Sequence, residues 1–555
     1  MQNVNSTANI YNFISKNAQK TPHKRAVVVP SGRDKYGHRA YTSLTFKQLN
    51  DEINRFARGF NKIGIKKGTK AVVMITPSLE FYITFFALSK LGAIMVMIDP
   101  GIGLKSLKQC IAEAEPEAFI GITKAHIARV LFRWSPQTIK INVTLGPKLF
   151  WCGHRFYDLR DSDNSEFPTE NMHPDEMSAL MFTSGSTGIS KGVVYTQGVL
   201  TNQVEYIREL YNLGSDDVDL ATFPLFGLFD VSLGMTAVIP DMDATKPGKA
   251  NPAYLVEAIE DNGITSIFGS PALVDNLSRY GEENKIKLPS VRNVISCGAP
   301  ARNDILQRFS NMLNEGVKIH TPYGATEALP VASIDSITIL NETAAETDSG
   351  KGTCVGFPDK HVQVKIVKIT DEPIEEWSDS YLVEKGTIGE IIAKGPIVTK
   401  EYFKRPQNTK LAKIKQGDQI WHRMGDVGHF DDKGRLWFCG RKSHRVETEQ
   451  GPMFTIPCER IFNQHPKVFR TALVGVGEKG KQVPVICVEL EKSISDIDAK
   501  VIFKELAELG SKYEHSASIK NFLIHQCFPV DIRHNAKIGR ELLAEWAAET
   551  LRGRI

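Results

Sequence analysis

Phe182 to Gly192, FTSGSTGISKG, places three glycines, five hydroxyl side chains and one lysine in eleven residues. Glycines let backbone N–H groups crowd around an anion, hydroxyls add donors, and Lys191 adds positive charge, so the chemistry this stretch suits is phosphate binding. It is not a Walker A loop, because Ser190 stands where the second glycine of G-x-x-x-x-G-K-[ST] belongs. A Gly/Ser-rich surface loop has the same composition, and these residues alone do not separate the two. Further along, four polar stretches follow in order: Tyr323-Gly324-Ala325-Thr326-Glu327, Trp421 to Asp426, Gly434 to Arg441, and Pro529 to Gly539.

The elements that must position these groups alternate. Leu44 to Ile63 has apolar residues at helical spacing, Lys70 to Ile75 reads as a strand, and a helix near Glu80 to Leu91 precedes a strand from Ala93 to Ile98. The same alternation recurs: helix Leu255 to Asn262, strand Ser266 to Gly269, strand Val291 to Cys297, helix Asn303 to Leu313. It predicts an α/β protein with parallel sheets. Ala179 to Phe182 is apolar and reads as a strand feeding the Gly/Ser loop. After Gly389 the texture changes: Glu390 to Ala393 and Leu436 to Cys439 read as β-structure, and Arg441 to Pro457 is polar and turn-rich. A compact unit follows, with a helix near Cys458 to Asn463, strands Arg470 to Val476 and Val483 to Leu490, and a helix from Asp496 to Leu509. The expected division is a large α/β domain, 1–442, and a small α+β domain, 443–555.

Composition bounds the function. The 555 residues exceed one ordinary core, and 42% hydrophobic with 24% charged is globular. The net charge, 68 − 64 = +4, gives no general electrostatic case for nucleic acid. Eight scattered cysteines without a C-x-x-C pair suit reduced thiols in a cytoplasmic protein. The N-terminus lacks a secretory pattern. Phe81 to Ile98 has transmembrane length but carries Lys90 and Gly92, so it splits into a buried helix and strand and no membrane span is expected.

Taken in order, the five stretches resemble the adenylate-forming superfamily of acyl-CoA synthetases, luciferases and peptide-synthetase adenylation domains, from Lys24-Arg25-Ala26-Val27 to the C-terminal lysine segment. The resemblance implies a large N-terminal adenylation domain, a small mobile C-terminal domain, and ATP with Mg²⁺. A carboxylate attacks the α-phosphorus, pyrophosphate leaves and an acyl-adenylate forms. It also implies roles. Thr183, Ser184, Gly185, Ser186, Thr187, Gly188 and Lys191 cradle the β- and γ-phosphates. Gly298, Ala299, Pro300, Tyr323 and Gly324 lie about the adenine, and Thr326 bonds the α-phosphate. Glu327, with Thr183, meets Mg²⁺, Asp426 takes the ribose hydroxyls, and Arg441 lies near the ribose. Lys537 bridges the carboxylate and α-phosphate, neutralising charge where it develops.

The departures narrow the reaction. The hinge, often aspartate, is Ser443 here, and the loop expected to line a pantetheine passage is Val446 to Pro452, with Glu447 and Glu449. Two glutamates disfavour anionic CoA; ordinary loop drift is the alternative. Phe223 to Phe229 and Phe268 to Ala272 are apolar, so Phe226, Gly227, Phe268 and Gly269 are expected to wall an alkyl chain, unless the aromatics are simply core. Asp99 to Gly103, Pro116 to Ile122, WHRMGDVG, LWFCGRKSHRVET and PVDIRHNAKIGRE resemble the β-lactone synthetases of bacterial long-chain olefin biosynthesis. That resemblance implies a long-chain 2-alkyl-3-hydroxy acid substrate, attack by its own 3-hydroxyl, loss of AMP, and pathway partners: a thiolase-like enzyme, a ketoreductase and a lactone decarboxylase. His422, His444 and Glu447 are candidate bases by placement. An acyl-CoA ligase and a non-catalytic nucleotide-binding scaffold are the alternatives.

Overall fold

The computed structural model describes residues 8–183, 190–491, 499–530 and 538–552. Its first sheet has seven strands. Six run parallel in the order His154–Arg155, Ile141–Leu145, Ala118–Ile122, Lys70–Met74, Ile94–Ile98 and Met177–Thr183. Lys191–Thr196 closes the edge antiparallel, with Thr183 opposite Lys191. The strand expected before the Gly/Ser loop is therefore present, and the loop joins the two strands of a hairpin.

The Phe81 to Ile98 run splits as its composition demands. Ser78 caps the helix Leu79–Lys90, whose side chains from Phe81 onward are all buried. Gly92 turns the chain at φ +66°, and the strand Ile94–Ile98 follows. Lys90 is buried with its ammonium 2.5 Å from Glu166 Oε1 and 3.9 Å from the centre of the Tyr11 ring. Among the described residues no helix is long and apolar enough to cross a membrane.

The second sheet has fourteen strands. From Arg25–Arg33 through Thr236–Val238, Val218–Ala221, Ser266–Gly269 and Asn293–Ser296 to Ile319–Ala325 the neighbours are parallel. From Ala328–Asp335 onward they are antiparallel, through Thr353–Pro358, Leu436–Arg441, Gln419–Phe430 and Gly389–Lys394. The expectation of parallel sheets thus holds for part of this sheet. The change comes where Thr326 and Glu327 alone join paired Ala325 and Ala328, a connection too short for a crossover and so necessarily antiparallel.

Beyond Arg441 the strands pair only with one another among the described residues. Val446–Thr448 and Gly451–Met453 form a hairpin, and Val468–Val476, Val483–Leu490 and Asn521–Ile524 form a three-stranded sheet. Helices Thr455–Phe462 and Ala499–Gly510 supply Cys458, Phe462, Ile502 and Leu506 to an apolar cluster with its Leu473, Ile486 and Val488.

Candidate active site

Three parallel strands, Val218–Ala221, Ser266–Gly269 and Asn293–Ser296, end side by side, and each runs into a predicted site segment. Carboxyl ends of parallel strands are where open α/β sheets bind ligands. The first leads into Phe223 and the helix Pro224–Leu233, started by Pro224 at its first turn. The second ends on Phe268 and Gly269. The third leads to Gly298, at φ +105°, with Cys297 N–H donating to Gly269 O at 3.1 Å. Gly298 and Pro300 are exposed and Ala299 is half-buried.

Phe226 and Phe268 stack at 3.7 Å between ring centres and 12° between planes, and Phe223 lies 6.2 Å from Phe268. Both readings of these aromatics meet here, since the stacked pair belongs to the main core cluster and also borders the carboxyl ends. Gly227 is needed for close approach: a Cβ there would lie 2.2 Å from the Tyr82 hydroxyl. At Gly269 a Cβ would meet Leu273 Cδ2 at 3.0 Å.

Tyr323, on the next strand, donates from its hydroxyl to Asp426 Oδ2 at 2.7 Å. Arg441 Nη1 donates to Asp426 Oδ1 at 2.7 Å, and Asp426 and Arg441 are register partners on adjacent strands. Asp426 reaches this position through a bulge: one residue, Ile391, faces the three between Arg423 and Val427, with Gly425 at φ +67°. Bulges re-aim side chains in this way. Burial pushes the Asp426 carboxyl up from its ordinary value, against the pull of Arg441 and the Tyr323 hydroxyl. Each oxygen keeps a second lone pair, enough for two hydroxyl donors. Met424 is buried in the cluster around Val331, Ala393 and Leu436, with Tyr323 packed against it. At Gly324 a Cβ would meet Ala328 O at 2.6 Å, so the tip of this hairpin demands glycine.

That tip carries Thr326 and Glu327, and two tyrosines hold it. Tyr195 donates to Thr326 O at 2.5 Å, and Tyr402 donates to Glu327 Oε1 at 2.6 Å. Thr399 N–H donates to Glu327 O at 2.9 Å. Tyr402 also brings in the Gly/Ser hairpin: it bridges Val193, and the Lys191 ammonium lies 5.2 Å from its ring centre. The hairpin's end, Glu327 and Lys191 therefore share one neighbourhood. Glu327 Oε2 accepts no hydrogen bond among the described residues, which leaves a hard oxygen suited to Mg²⁺. That ion ordinarily takes one or two carboxylates plus substrate phosphates. Thr183 contributes its backbone to the end of its strand.

Sequence reasoning missed Tyr195, Tyr402 and Lys413. The Lys413 ammonium is buried and donates to the Thr399 carbonyl and, at 3.3 Å, to its hydroxyl. Burial pushes it down to about 7. Lys413 faces His422 across paired strands. The His422 ring is buried and its Nδ1–H donates to Ala412 O at 3.2 Å, which leaves Nε2 as the basic nitrogen. Burial, then Lys413, Arg441 and Lys191, hold this imidazole well below its usual range.

The other two candidate bases are engaged. Glu447 Oε1 is 2.5 Å from Arg445 and 3.6 Å from Lys479, so its charge is compensated and the electrostatic argument against CoA is left to exposed Glu449. His444 Nε2 lies 3.3 Å from Glu541, and burial with nearby Arg540 pushes it down to about 4. Ser443 is exposed in the single turn Lys442–His444. Ser184, Gly185, Ser186, Thr187, Gly188 and Lys537 lie outside the described residues. On either side of the lysine segment, Val530 bridges Ile538, and Arg540 grips Glu459 with both bonds from Nη2 at 2.8 Å.

Residues 14–403 match the model of the AMP-binding enzyme family. The chain belongs to that family. It is 45% identical to an olefin β-lactone synthetase from Xanthomonas campestris pv. campestris, over 98% of both chains. It is 44% identical to another from Stenotrophomonas maltophilia, over 99% of this chain and 100% of that one. Among solved structures it is similar to the amide bond synthetase McbA from Marinactinospora thermotolerans, with a TM-score of 0.77 and 20% identity over 97% and 99% of the two chains. At that identity the likeness establishes the fold, the α/β architecture of adenylate-forming enzymes with a smaller α+β C-terminal part.

Proposed function

We propose that this AMP-forming, ATP-dependent enzyme converts a long-chain 2-alkyl-3-hydroxy acid into a β-lactone. The observation that carries the reading is identity of 44–45% along the full length of two olefin β-lactone synthetases. The substrate carboxylate attacks the α-phosphorus of ATP and pyrophosphate departs. The 3-hydroxyl oxygen then bonds to the acyl carbon, the acyl–phosphate oxygen bond breaks, AMP leaves with its electron pair, and the hydroxyl proton passes to a base. A nucleophile already on the substrate gains effective molarity that an external thiol lacks.

Within that reading Asp426 orients the ribose beside Arg441, Tyr323 and the Gly298–Pro300 turn flank the base, and Thr326 meets the α-phosphate. Glu327, with Thr183, would hold Mg²⁺, which when bound neutralises phosphate charge. Lys191 and the Ser184–Gly188 loop take the outer phosphates. Phe226, Gly227, Phe268 and Gly269 wall the alkyl chains. Residues 1–442 form the adenylation domain and 443–555 a domain that moves about Ser443 and carries Lys537. Of the three candidate bases His422 fits best: it joins no ion pair among the described residues, and its tautomer is fixed by Ala412. Pathway enzymes that make the hydroxy acid and consume the lactone are the expected partners.

The test supplies purified protein with ATP, Mg²⁺ and the hydroxy acid, without CoA. AMP, pyrophosphate and β-lactone should appear in equal amounts, and added CoA should not be consumed. Lys537→Ala should slow pyrophosphate release by about 10²–10³-fold without changing the melt. A thioester with CoA, and no lactone without it, would give the acyl-CoA ligase reading instead.

A further inference from the structure

From Thr123 to Tyr157 the chain contains no aspartate or glutamate, yet it carries Lys124, Arg129, Arg133, Lys140, Lys148 and Arg155. Elsewhere the surface is laced with ion pairs; among the described residues none of these six cations joins one. Lys124, Arg133, Lys140 and Arg155 are exposed. Of the acids just upstream, Glu113 is engaged by Arg405 and Glu115 by Lys404, and exposed Glu117 stands next to Lys140, just before the neighbouring strand. Six cations against two bordering acids, Glu117 and Asp158, leave this face a net positive charge.

The same stretch exposes large apolar side chains. Leu131 is 70% exposed and Phe150 76%, with Ile127, Phe132 and Leu149 also open to solvent. Two elements carry them, and contacts tie the two together. On the helix Thr123–Leu131, Ile127 and Leu131 are four apart and share a face. Thr123 donates to Pro147 O at 2.8 Å, and the His126 ring stacks on Trp151 at 5.2 Å and 9°. Phe150 in turn packs edge-on against Trp151. Arg155 lies on the edge strand of the seven-stranded sheet. Apolar anchors surrounded by unpaired cations match a surface with anionic headgroups over a hydrocarbon layer, where each element meets its complement.

We infer that this face docks the enzyme on an anionic lipid surface. The observation is independent of the lactone reading, since it would hold for any adenylate-forming enzyme with this face. A nucleic acid would use the cations but leave Leu131 and Phe150 in water, and a neutral protein partner would leave the six cations unmatched.

The test is co-sedimentation of the full chain with phosphatidylcholine vesicles, with and without about one-third phosphatidylglycerol. Binding should be at least about tenfold tighter to the anionic vesicles and should weaken as salt is raised. Arg133→Glu/Lys140→Glu/Arg155→Glu and, separately, Leu131→Ser/Phe150→Ser should each lower it by about tenfold or more. Both variants should keep the wild-type melt and ATP–pyrophosphate exchange in solution, because the altered side chains are exposed. Absent vesicle binding, equal binding to neutral vesicles, or variants that bind like wild type would overturn the inference. So would wild-type self-association, lost in the variants, in place of lipid binding, because a second copy would then be the occupant.

Discussion

Asp426 and the pair Asp219–Asp230 are carboxyl groups withdrawn from water in the same large sheet and its covering helix, and they are handled in opposite ways. Asp426 has a donor on each oxygen, Tyr323 on one and Arg441 on the other. Asp219, on Val218–Ala221, and Asp230, on Pro224–Leu233, are fully buried, and none of their four oxygens has a well-formed hydrogen bond. The Tyr82 hydroxyl is equally without a partner, and the Ser266 hydroxyl lies beside Asp219. Two bare ionised carboxylates side by side would cost far more than the fold can offset, so this pair keeps protons. Burial pushes Asp219 up to about 7, and burial plus Asp219 raises Asp230 well above its ordinary value. Asp426 is held in place by a charged partner, as the proposed ribose contact requires; the pair lies near Phe226 and Gly227 as a polar patch whose charge has been removed. A carboxylate held on both oxygens can stay charged in the fold, whereas an unserved one must give up its charge.

The largest effect should come from Asp426→Ala. It removes the group proposed to meet the ribose and strands the partners that held it. The efficiency toward ATP should fall about 100-fold, equivalent to about 2.7 kcal/mol, while preference among acids of different chain length stays as in wild type. Titrating ATP and an acid series against the variant checks this. Intact ATP dependence with an altered chain-length profile would mean that Asp426 and the aromatic wall do not divide the site as argued.

Asp230→Asn should have the opposite consequence, a gain in stability. The folded protein holds protons on the pair at a pH where a free aspartate, with its ordinary value of 3.8, has lost its own. The folded state therefore binds more protons than the unfolded one, and stability falls as pH rises from about 4 through about 7. The amide keeps the shape and abolishes that dependence at one site. At pH 8 the variant should be more stable than wild type by about 1–2 kcal/mol, with the difference vanishing toward pH 4. Asp426→Asn should change the curve less, because the rise of its carboxyl is only the balance left after Arg441 and Tyr323 oppose burial. Thermal melts of both variants across that range decide the matter; parallel pH curves for wild type and Asp230→Asn would show that the pair is ionised or hydrated after all.

The contrast also marks what was legible in the sequence. Tyr323, Glu327, Asp426 and Arg441 could be named because each sits in a short ordered stretch, and the structure brings Tyr323, Asp426 and Arg441 into one hydrogen-bonded set. Strand Ser266–Gly269 and the division of Phe81 to Ile98 followed from local pattern, because period, glycine and capping act within a few residues. The helix Pro224–Leu233 shows in the sequence only as an apolar run, since apolar residues on nearly every side give no helical stripe. Tyr402 gave no signal at all. It lies 75 residues beyond Glu327, and backbone pairing around Val193 brings it to the hairpin. Lys413 looked like any surface lysine, because burial is a property of the assembled sheets. Asp219 and Asp230 were equally silent, as alternation and helix period specify a face but not which polar residue that face will trap.

Glu327 stands between the two cases, with one oxygen served by Tyr402 and the other without a hydrogen bond among the described residues. If a served oxygen fixes the carboxylate so that its free partner can meet Mg²⁺, then Tyr402 is a positioning residue. Tyr402→Phe removes one hydrogen bond to a charged group from the half-buried tip and leaves the ring against Lys191. The loss should be about 1 kcal/mol, near fivefold. It should appear as a higher Mg²⁺ concentration at half-maximal pyrophosphate release, with the chain-length profile unchanged. Tyr195→Phe, which frees only the backbone oxygen of Thr326, should leave the Mg²⁺ dependence where it was. Equal shifts in the two variants would mean that the tyrosines merely brace the hairpin tip. A shift confined to Tyr402→Phe would tie hydrogen-bond service on one carboxylate oxygen to metal binding on the other, and place Glu327 with Asp426 rather than with the silent pair.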